Sequence, residues 1–515
     1  MKTRLARLLS LLLSTLLLFA ATGHGASAAP VVSLSSEEQP QQVLAPAWYW
    51  ESWQKGAQAG TSAAGAGDVN GDGYDDLIVG APLFTVELYK EGAAFVFHGS
   101  ASGLGINPSW VASGEQQGKL FGQSAAAAGD LNCDGYADVI VAAPAYGQNH
   151  GKLYVYYGSH LGLSASPDWT YTGEQRDAYL GWSVAAAGDV NGDGCDDLLA
   201  GARFYSDGQS LEGGAFLFHG SPDGLRKTPE GLGATPDWIG QVDQATAQFG
   251  YAVSRAGDLN RDGYADVIVG APYYESTPTT LNEGAIFLYY GSSDGLSVDP
   301  DWTAYGGAPD ARLGFSVSGG FDLNGDGYPD LVAGAPGWEG SLGAVFVFHG
   351  STNGPSLGAD WSRAGSAAYT GYGEAVALSG DLNGDGYADL LVGASRYSND
   401  QSKEGVLYVH HGGPDGPAQY PGWRAEGNKA DTGFGAWVAT AGDVNKDGYS
   451  DIVVGAPFYR LNRDIMGRAF VYHGFDQEVV NGVIIPIDPI EPPPPIDPID
   501  PHDIYIHYFL PVMMR

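Results

Sequence analysis

From about residue 46 the chain alternates short apolar runs with turns rich in glycine and aspartate, and four kinds of run return in the same order. The first is made of small residues, as in Ser124-Ala125-Ala126-Ala127-Ala128-Gly129 and Ser183-Val184-Ala185-Ala186-Ala187-Gly188. The second is continuously apolar and ends in Gly-Ala-Pro or a near variant, as in Leu77 to Pro82, Val267 to Pro272 and Ile452 to Pro457. The third mixes aromatic and aliphatic residues, as in Ala94-Phe95-Val96-Phe97-His98-Gly99 and Ala344-Val345-Phe346-Val347-Phe348-His349-Gly350. The fourth opens on a tryptophan: Trp110, Trp169, Trp238, Trp302, Trp361 and Trp423. Runs of this length bounded by turn residues predict strands. Unbroken apolarity in the second predicts a strand covered on both faces. Small residues in the first suit a crowded position where backbones approach closely.

Between the first and second runs lies the pattern Asp-x-Asn-x-Asp-Gly-x-x-Asp. It begins at Asp68, Asp130, Asp189, Asp258, Asp322, Asp381 and Asp443, about 60 residues apart each time. Seven faultless copies are not chance. Four strands per repeat, repeated seven times, predict an all-β fold: a seven-bladed β-propeller of four-stranded blades over residues 46–474. The last copy lacks a tryptophan run, whereas Ala47-Trp48-Tyr49-Trp50 precedes the first loop unmatched. That segment is expected to supply the outer strand of the last blade, closing the ring and removing an exposed edge.

The nine-residue loops carry the chemistry. Calcium takes several oxygen ligands from carboxylates, amides and backbone carbonyls. Side-chain oxygens at positions 1, 3, 5 and 9 come from Asp68/Asn70/Asp72/Asp76, Asp130/Asn132/Asp134/Asp138, Asp189/Asn191/Asp193/Asp197 and Asp258/Asn260/Asp262/Asp266. The same set recurs in Asp322/Asn324/Asp326/Asp330, Asp381/Asn383/Asp385/Asp389 and Asp443/Asn445/Asp447/Asp451. Position 7 would offer its backbone carbonyl, from Tyr74, Tyr136, Cys195, Tyr264, Tyr328, Tyr387 and Tyr449. Three carboxylates gathered in one loop repel one another unless a cation neutralises them. Up to seven bound Ca2+ ions are therefore expected, calcium being favoured over magnesium by the oxygen-only, loop-borne ligand set. An EF-hand is excluded, because position 12 is Val79, Val141, Ala200, Val269, Ala333, Val392 or Val454 where a bidentate Glu is required.

Gly-Asp-x-Asn-x-Asp-Gly-Tyr-x-Asp followed by Gly-Ala-Pro, and preceded by Phe121-Gly122, Phe249-Gly250 or Phe434-Gly435, resembles the FG-GAP repeat of integrin alpha subunits. The resemblance covers about residues 46 to 474. Phe-Gly becomes Leu180-Gly181, Leu313-Gly314 and Tyr372-Gly373 in three copies, and it is absent around Ala59-Gly60. The isolated propeller and its seven intact loops fit a bacterial-type relative better than a true integrin. The resemblance implies calcium loops on one face and ligand contacts on the opposite face. For that second face the candidates stand two residues past Gly-Ala-Pro: Phe84, Tyr146, Tyr205, Tyr274, Trp338, Tyr397 and Tyr459. They are expected to ring the central opening, either as an aromatic cage or surface for a partner or as packing for the channel mouth.

Charge and termini narrow the setting. A net charge of -36 argues against nucleic acid and anionic membrane surfaces as partners. Lys2, Arg4 and Arg7, the apolar stretch Leu8 to Ala21 and Ala26-Ser27-Ala28 read as a signal peptide over 1–28, hence a secreted or cell-surface protein. An N-terminal linker over 29–45, a Pro-rich linker over 475–503 and an apolar tail over 504–515 complete the organisation. The tail is too short to span a bilayer, and reads as a sorting or docking peptide or as a disordered end. Cys133 and Cys195 fall in loops of neighbouring repeats, which the fold is expected to hold apart, so two free thiols are predicted. His98, His219, His349, His411 and His473 share one repeat position with Tyr157 and Tyr290. That exchange points to packing of the strand end.

No nucleophile elbow, zinc-binding His-Glu-x-x-His or phosphate loop occurs. The favoured reading is a calcium-binding adhesion or recognition module for an extracellular protein or glycan, and not an enzyme. A channel-based lyase or hydrolase and a purely structural surface component are the alternatives.

Overall fold

The computed structural model describes residues 42–225, 235–475, 477–480 and 483–486. The segments read as signal peptide and apolar tail, with most of the two linkers, lie outside the described residues. Within the C-terminal linker, Gln477–Val480 and Val483–Pro486 pair as a hairpin.

Seven four-stranded antiparallel sheets follow one another along the chain. Blade 1 is Ser62–Gly67, Asp76–Ala81, Ala93–Phe97 and Trp110–Ser113, in that order from the axis outward. The first strands of successive blades neighbour one another all the way round, so they form the inner wall of a closed ring. Trp48–Glu51 pairs antiparallel with Arg468–Tyr472, matching Trp48 to Val471 and Glu51 to Arg468. The N-terminus thus provides the outer strand of blade 7, as expected. Gln42–Val43 adds a short parallel fifth strand to blade 6, which the sequence did not signal. Two single-turn helical segments, Tyr146–Asn149 and Trp338–Ser341, interrupt the loops of blades 2 and 5.

Second strands such as Asp76–Ala81, Asp266–Ala271 and Asp451–Ala456 are buried at every residue. Each fully buried Val, Leu or Ile contributes roughly 1.5–3 kcal/mol, so these strands hold much of the inter-blade core. Each outer-strand tryptophan packs on the aromatic end of the next blade's third strand. The pairs are Trp48–Phe97, Trp110–Tyr156, Trp169–Phe218, Trp238–Tyr289, Trp302–Phe348, Trp361–His410 and Trp423–Tyr472, with ring centroids 4.7–5.8 Å apart. The indoles of Trp48, Trp110, Trp238 and Trp302 also donate to carbonyls of that next blade.

The Phe-Gly and Gly-Ala elements meet at the same seam. Phe121 is wholly buried, while Gly122 has a φ of +82° and lies so close to the Ala93 carbonyl that no side chain fits there. The Gly122 carbonyl accepts from Ser62 Oγ of the preceding blade at 3.1 Å. The motif is thus a seam between blades.

Candidate functional site

All seven nine-residue loops connect a first strand to a second strand, and so project from one rim of the ring. Local hydrogen bonds set their shape. In the first loop Asp68 accepts N–H bonds from Gly71, Asp72 and Gly73 at 2.6–3.1 Å. Asn70 accepts from the Asp72 amide, and Asp72 accepts from the Tyr74 amide. Asp76 begins the second strand and has no exposed surface; its two oxygens accept from the amides of Val69 and Gly99. Each position-9 carboxylate, from Asp76 to Asp451, is buried in this way.

Burial, with the nearby charges at positions 1 and 5, pushes the carboxyl pKa up to about 7 for Asp76 and Asp266 and to about 8 for Asp138 and Asp451. Asp197, Asp330 and Asp389 are also raised by burial, opposed by the neighbouring histidines His219, His349 and His411 at 3.1–3.2 Å. Three carboxylates and an amide oxygen in one loop, one carboxylate buried and held up in pKa, suit a hard divalent cation.

Among the described residues no three acidic or histidine side chains gather into a closed metal cage. Positions 3 and 5 turn onto each other instead. The asparagine Nδ2 donates to the aspartate Oδ2 in Asn70–Asp72, Asn132–Asp134, Asn191–Asp193 and Asn260–Asp262. Asn324–Asp326, Asn383–Asp385 and Asn445–Asp447 do the same, and all seven distances fall between 2.7 and 3.0 Å. Each asparagine is half-buried and each position-5 aspartate exposed, whereas position 9 sits beneath them in the strand. The physical reason is local: short Asx side chains cap amides two to five residues on. Thus the amides of Asp134, Asp262, Asp326, Asp385 and Asp447 bond to the Oδ1 of Asn132, Asn260, Asn324, Asn383 and Asn445. Asp130, Asp189, Asp258, Asp322, Asp381 and Asp443 accept the position-6 glycine amide at 2.7–3.0 Å, as Asp68 does.

Neighbouring loops join into a belt. The position-8 amide donates to the position-1 carbonyl of the preceding loop at six seams, including Ala137 to Asp68, Ser450 to Asp381 and, across the ring closure, Asp75 to Asp443. Pro329 at position 8 has no N–H to offer at the seventh. Asp75 and Asp196 strengthen two seams by accepting the amides of Asp443 and Asp130, each at 2.8 Å.

Position 7 reaches across the same seams, which reading it only as a carbonyl donor missed. The Tyr136 ring lies over Gly71 at position 4 of the preceding loop; with a φ of +72°, Gly71 would bring a Cβ to 2.6 Å of that ring. Tyr264 meets Gly192, Tyr387 meets Gly325 and Tyr449 meets Gly384 in the same way. Arg261 lies 4.5 Å from the Tyr328 ring centroid and Lys446 lies 5.5 Å from that of Tyr74.

At the remaining seam positions 4 and 7 are Cys133 and Cys195, with Cα atoms 5.1 Å apart, and they form a disulfide. The expectation of free thiols is corrected. Corresponding positions of neighbouring loops are far apart, but position 4 of one loop abuts position 7 of the next. The repeated histidines also meet the next blade: Gly162, Gly295 and Gly416 face His98, His219 and His349, and the Tyr157 hydroxyl accepts from the Leu225 amide.

On the opposite rim the seven candidate aromatics pack against the third strands of their own blades. Phe84, Tyr205, Tyr274, Trp338, Tyr397 and Tyr459 lie on Phe95, Phe216, Phe287, Phe346, Tyr408 and Phe470 of their own third strands, with centroids 5.1–6.3 Å apart. Tyr146 lies beside Lys152, also on a third strand, and donates to Glu115 at 3.2 Å. The chain after Gly-Ala-Pro leads from the second strand to the third, and these side chains lie against that third strand. Tyr205 helps line a cavity of about 280 Å3 with Tyr171, Phe216 and Glu174. At the corresponding place on the last seam, Trp53 fills the space against Phe84 and Phe95.

The aromatics at the heads of the inner strands are others: Trp182, Tyr251 and Phe315, each directly after the Phe-Gly position of blades 3, 4 and 5. Trp182 to Tyr251 is 6.1 Å and Tyr251 to Phe315 is 4.8 Å between centroids. Arg203, which stands where five blades have the proline of Gly-Ala-Pro, covers Trp182 at 3.3 Å. Two departures from the repeat could have flagged this cluster: the loss of that proline, and aromatics in three consecutive blades.

The FG-GAP repeat model matches residues 59–97, 249–289, 313–348, 372–410 and 434–472, and an FG-GAP-like repeat model matches 130–200. Integrin alpha pat-2 of Caenorhabditis elegans is 33% identical over 299 residues, 56% of this chain and 23% of that protein. Integrin alpha-IIb of Homo sapiens is 33% identical over 289 residues, 54% of this chain and 26% of that protein. Integrin alpha-IIb of Mus musculus is 36% identical over 199 residues, 34% of this chain and 18% of that protein. The matched region spans about a quarter or less of these relatives' length. No helix among the described residues is long and apolar enough to cross a membrane. With the matched repeats, these relatives and a closed ring of seven four-stranded blades, the chain belongs to the FG-GAP repeat family as an integrin-alpha-like propeller.

Proposed function

We propose that this propeller is a secreted or cell-surface recognition module that binds up to seven calcium ions and, in that state, engages a protein or glycan partner. The observation that carries the reading is the set of seven intact acidic loops on one rim, each closed by a buried position-9 aspartate. Three carboxylates gathered in each loop repel one another, and a divalent cation there would offset that charge. The residues that would hold the ion are those at positions 1, 3, 5 and 9 with the position-7 carbonyl, from Asp68/Asn70/Asp72/Tyr74/Asp76 onward. Loading asks the side chains at positions 3 and 5, such as Asn132 and Asp134, to turn off each other and onto the ion. Their contribution is to fix the loop belt and thereby the shape of the ring.

Adhesion or recognition is the general role that kinship with integrin alpha chains implies. The partner is the finer part of the proposal. The test is metal analysis of the purified mature protein after dialysis against millimolar calcium, followed by protein and glycan arrays probed with calcium and with chelator. The expected result is several calcium ions per chain and array binding that EGTA abolishes. A chain that retains no calcium would overturn the reading, as would array binding indifferent to EGTA.

A further inference from the structure

Arg203 and Arg312 stand out in a chain with 60 acidic and 24 basic residues. Both lie on the rim opposite the acidic loops, half-buried, Arg203 after the second strand of blade 3 and Arg312 before the first strand of blade 5. Neither forms an ion pair among the described residues, and the Nε of each is buried without a hydrogen-bond partner. Arg396, on the same rim, does have a carboxylate, Glu374 at 3.1 Å. Burying a charged group without a counter-charge is costly, so two guanidiniums lacking a carboxylate call for an explanation.

Their surroundings are aromatic. The Arg203 guanidinium lies 3.3 Å from the Trp182 ring centroid, 4.4 Å from Phe204 and 6.0 Å from Tyr251. Arg312 lies 5.6 Å from the Tyr273 ring centroid. The Tyr251 hydroxyl is within electrostatic reach of both arginines, and its ring continues onto Phe315 at 4.8 Å. The aromatic faces hold the guanidiniums in place and the Tyr251 hydroxyl is a hydrogen-bond partner of Arg203, while the buried Nε of each arginine is left without an acceptor. A planar, two-oxygen acceptor matches such a fork.

We propose that this cluster of Trp182, Arg203, Tyr251 and Arg312 receives the carboxylate of an aspartate or glutamate side chain of a partner protein. The inference rests on the recognition reading above and names the partner's chemistry. A polyanionic glycan is disfavoured, because a chain of net charge -36 repels an extended anion, whereas one acidic side chain on a peptide brings only local charge. Tyr251 and Phe315 offer an apolar floor for the residues beside that acid.

The test is a random peptide display selection on the calcium-loaded full chain, with Arg203→Gln, Arg312→Gln and, as a remote control, Lys55→Gln. Selected peptides are synthesised with their acids and with the matching amides, and Kd is read by fluorescence anisotropy. Wild type and Lys55→Gln should enrich peptides containing Asp or Glu. Acid-to-amide exchange and Arg203→Gln should each weaken binding roughly thirtyfold or more, with little further loss when combined. N-acetyl-aspartate should compete, whereas N-acetyl-asparagine amide should not; this arm needs no variant to fold. Selection without acid preference, binding unaffected by both arginine substitutions, or no enriched peptide at all would overturn the proposal. Calcium-dependent capture on the protein and glycan arrays would still stand in those cases, so the broader reading is judged separately.

Discussion

Removing calcium is expected to lower the melting temperature of the whole ring by several degrees, and mass action sets the size. A ligand held only by the native state stabilises it by RT ln(1 + [L]/Kd). Extracellular calcium modules have Kd values of roughly 10⁻⁴ to 10⁻³ M. At about 1 mM calcium each filled loop then adds ~0.4 to ~1.4 kcal/mol. The seven loops are tied by amide-to-carbonyl bonds across neighbouring blades, so their contributions bear on one ring. Their sum is about 3 to 10 kcal/mol. An unfolding entropy of ~2.1 cal/mol/K per residue gives ~0.9 kcal/mol/K for a ring of about 430 residues, and the midpoint should fall by about 3 to 11 °C. Differential scanning calorimetry on the full chain, with 1 mM calcium and then with EGTA, reads the shift directly. Asp68→Ala should remove about a seventh of it, plus a smaller loss because the amides of Gly71, Asp72 and Gly73 lose their acceptor. A midpoint that does not move with EGTA, or that magnesium restores as fully as calcium, would contradict this account.

Three further outcomes follow from the seams. Cys133→Ser should cost up to about 4 kcal/mol, the loop-entropy value for a closed segment of 62 residues. The double change Cys133→Gly with Cys195→Tyr should recover part of that loss in a denaturant melt, because it installs the pair that other seams use. Gly71→Ala should destabilise by roughly 1–3 kcal/mol, since the new Cβ meets the Tyr136 ring at a positive φ; a melt within error of wild type would argue against the packed seam. His410 is wholly buried, and burial holds its pKa down at about 3. Between pH 6.5 and 3 the unfolded chain therefore binds a proton that the fold refuses, and stability drops as pH falls, by at most about 1.36 kcal/mol per pH unit from this residue. His410→Phe should flatten that slope in calorimetry run from pH 7 to pH 4.

The parts of the fold that repeat within one copy were legible, because each is a local pattern with its own period. The second strand is apolar throughout because it is covered on both faces, and the loop needs acids and a glycine at fixed spacing. The unmatched Trp48 segment announced closure because a blade must have four strands. What was not legible depends on side-chain direction and on contacts between copies. Spacing places Asn132 and Asp134 in one loop, yet it does not say that they bond to each other rather than point at a common centre. Tyr205 and Trp338 lie against the third strand, a direction that no pattern of apolar residues encodes. The pairing of Cys133 with Cys195 looked forbidden so long as like positions were compared, since like positions are one blade apart.

Comparing position 4 of each copy with position 7 of the next removes that difficulty. The pairs are Gly with Tyr at four seams, Arg261 with Tyr328, Lys446 with Tyr74, and Cys133 with Cys195. Where position 4 is not glycine, its side chain is a cation for the ring or a thiol for the bond, so each substitution keeps the seam closed by different chemistry. Such pairing requires the last copy to face the first. Lys446 over Tyr74 therefore closes the ring on the loop rim, just as the Trp48–Glu51 strand closes it at the outer edge.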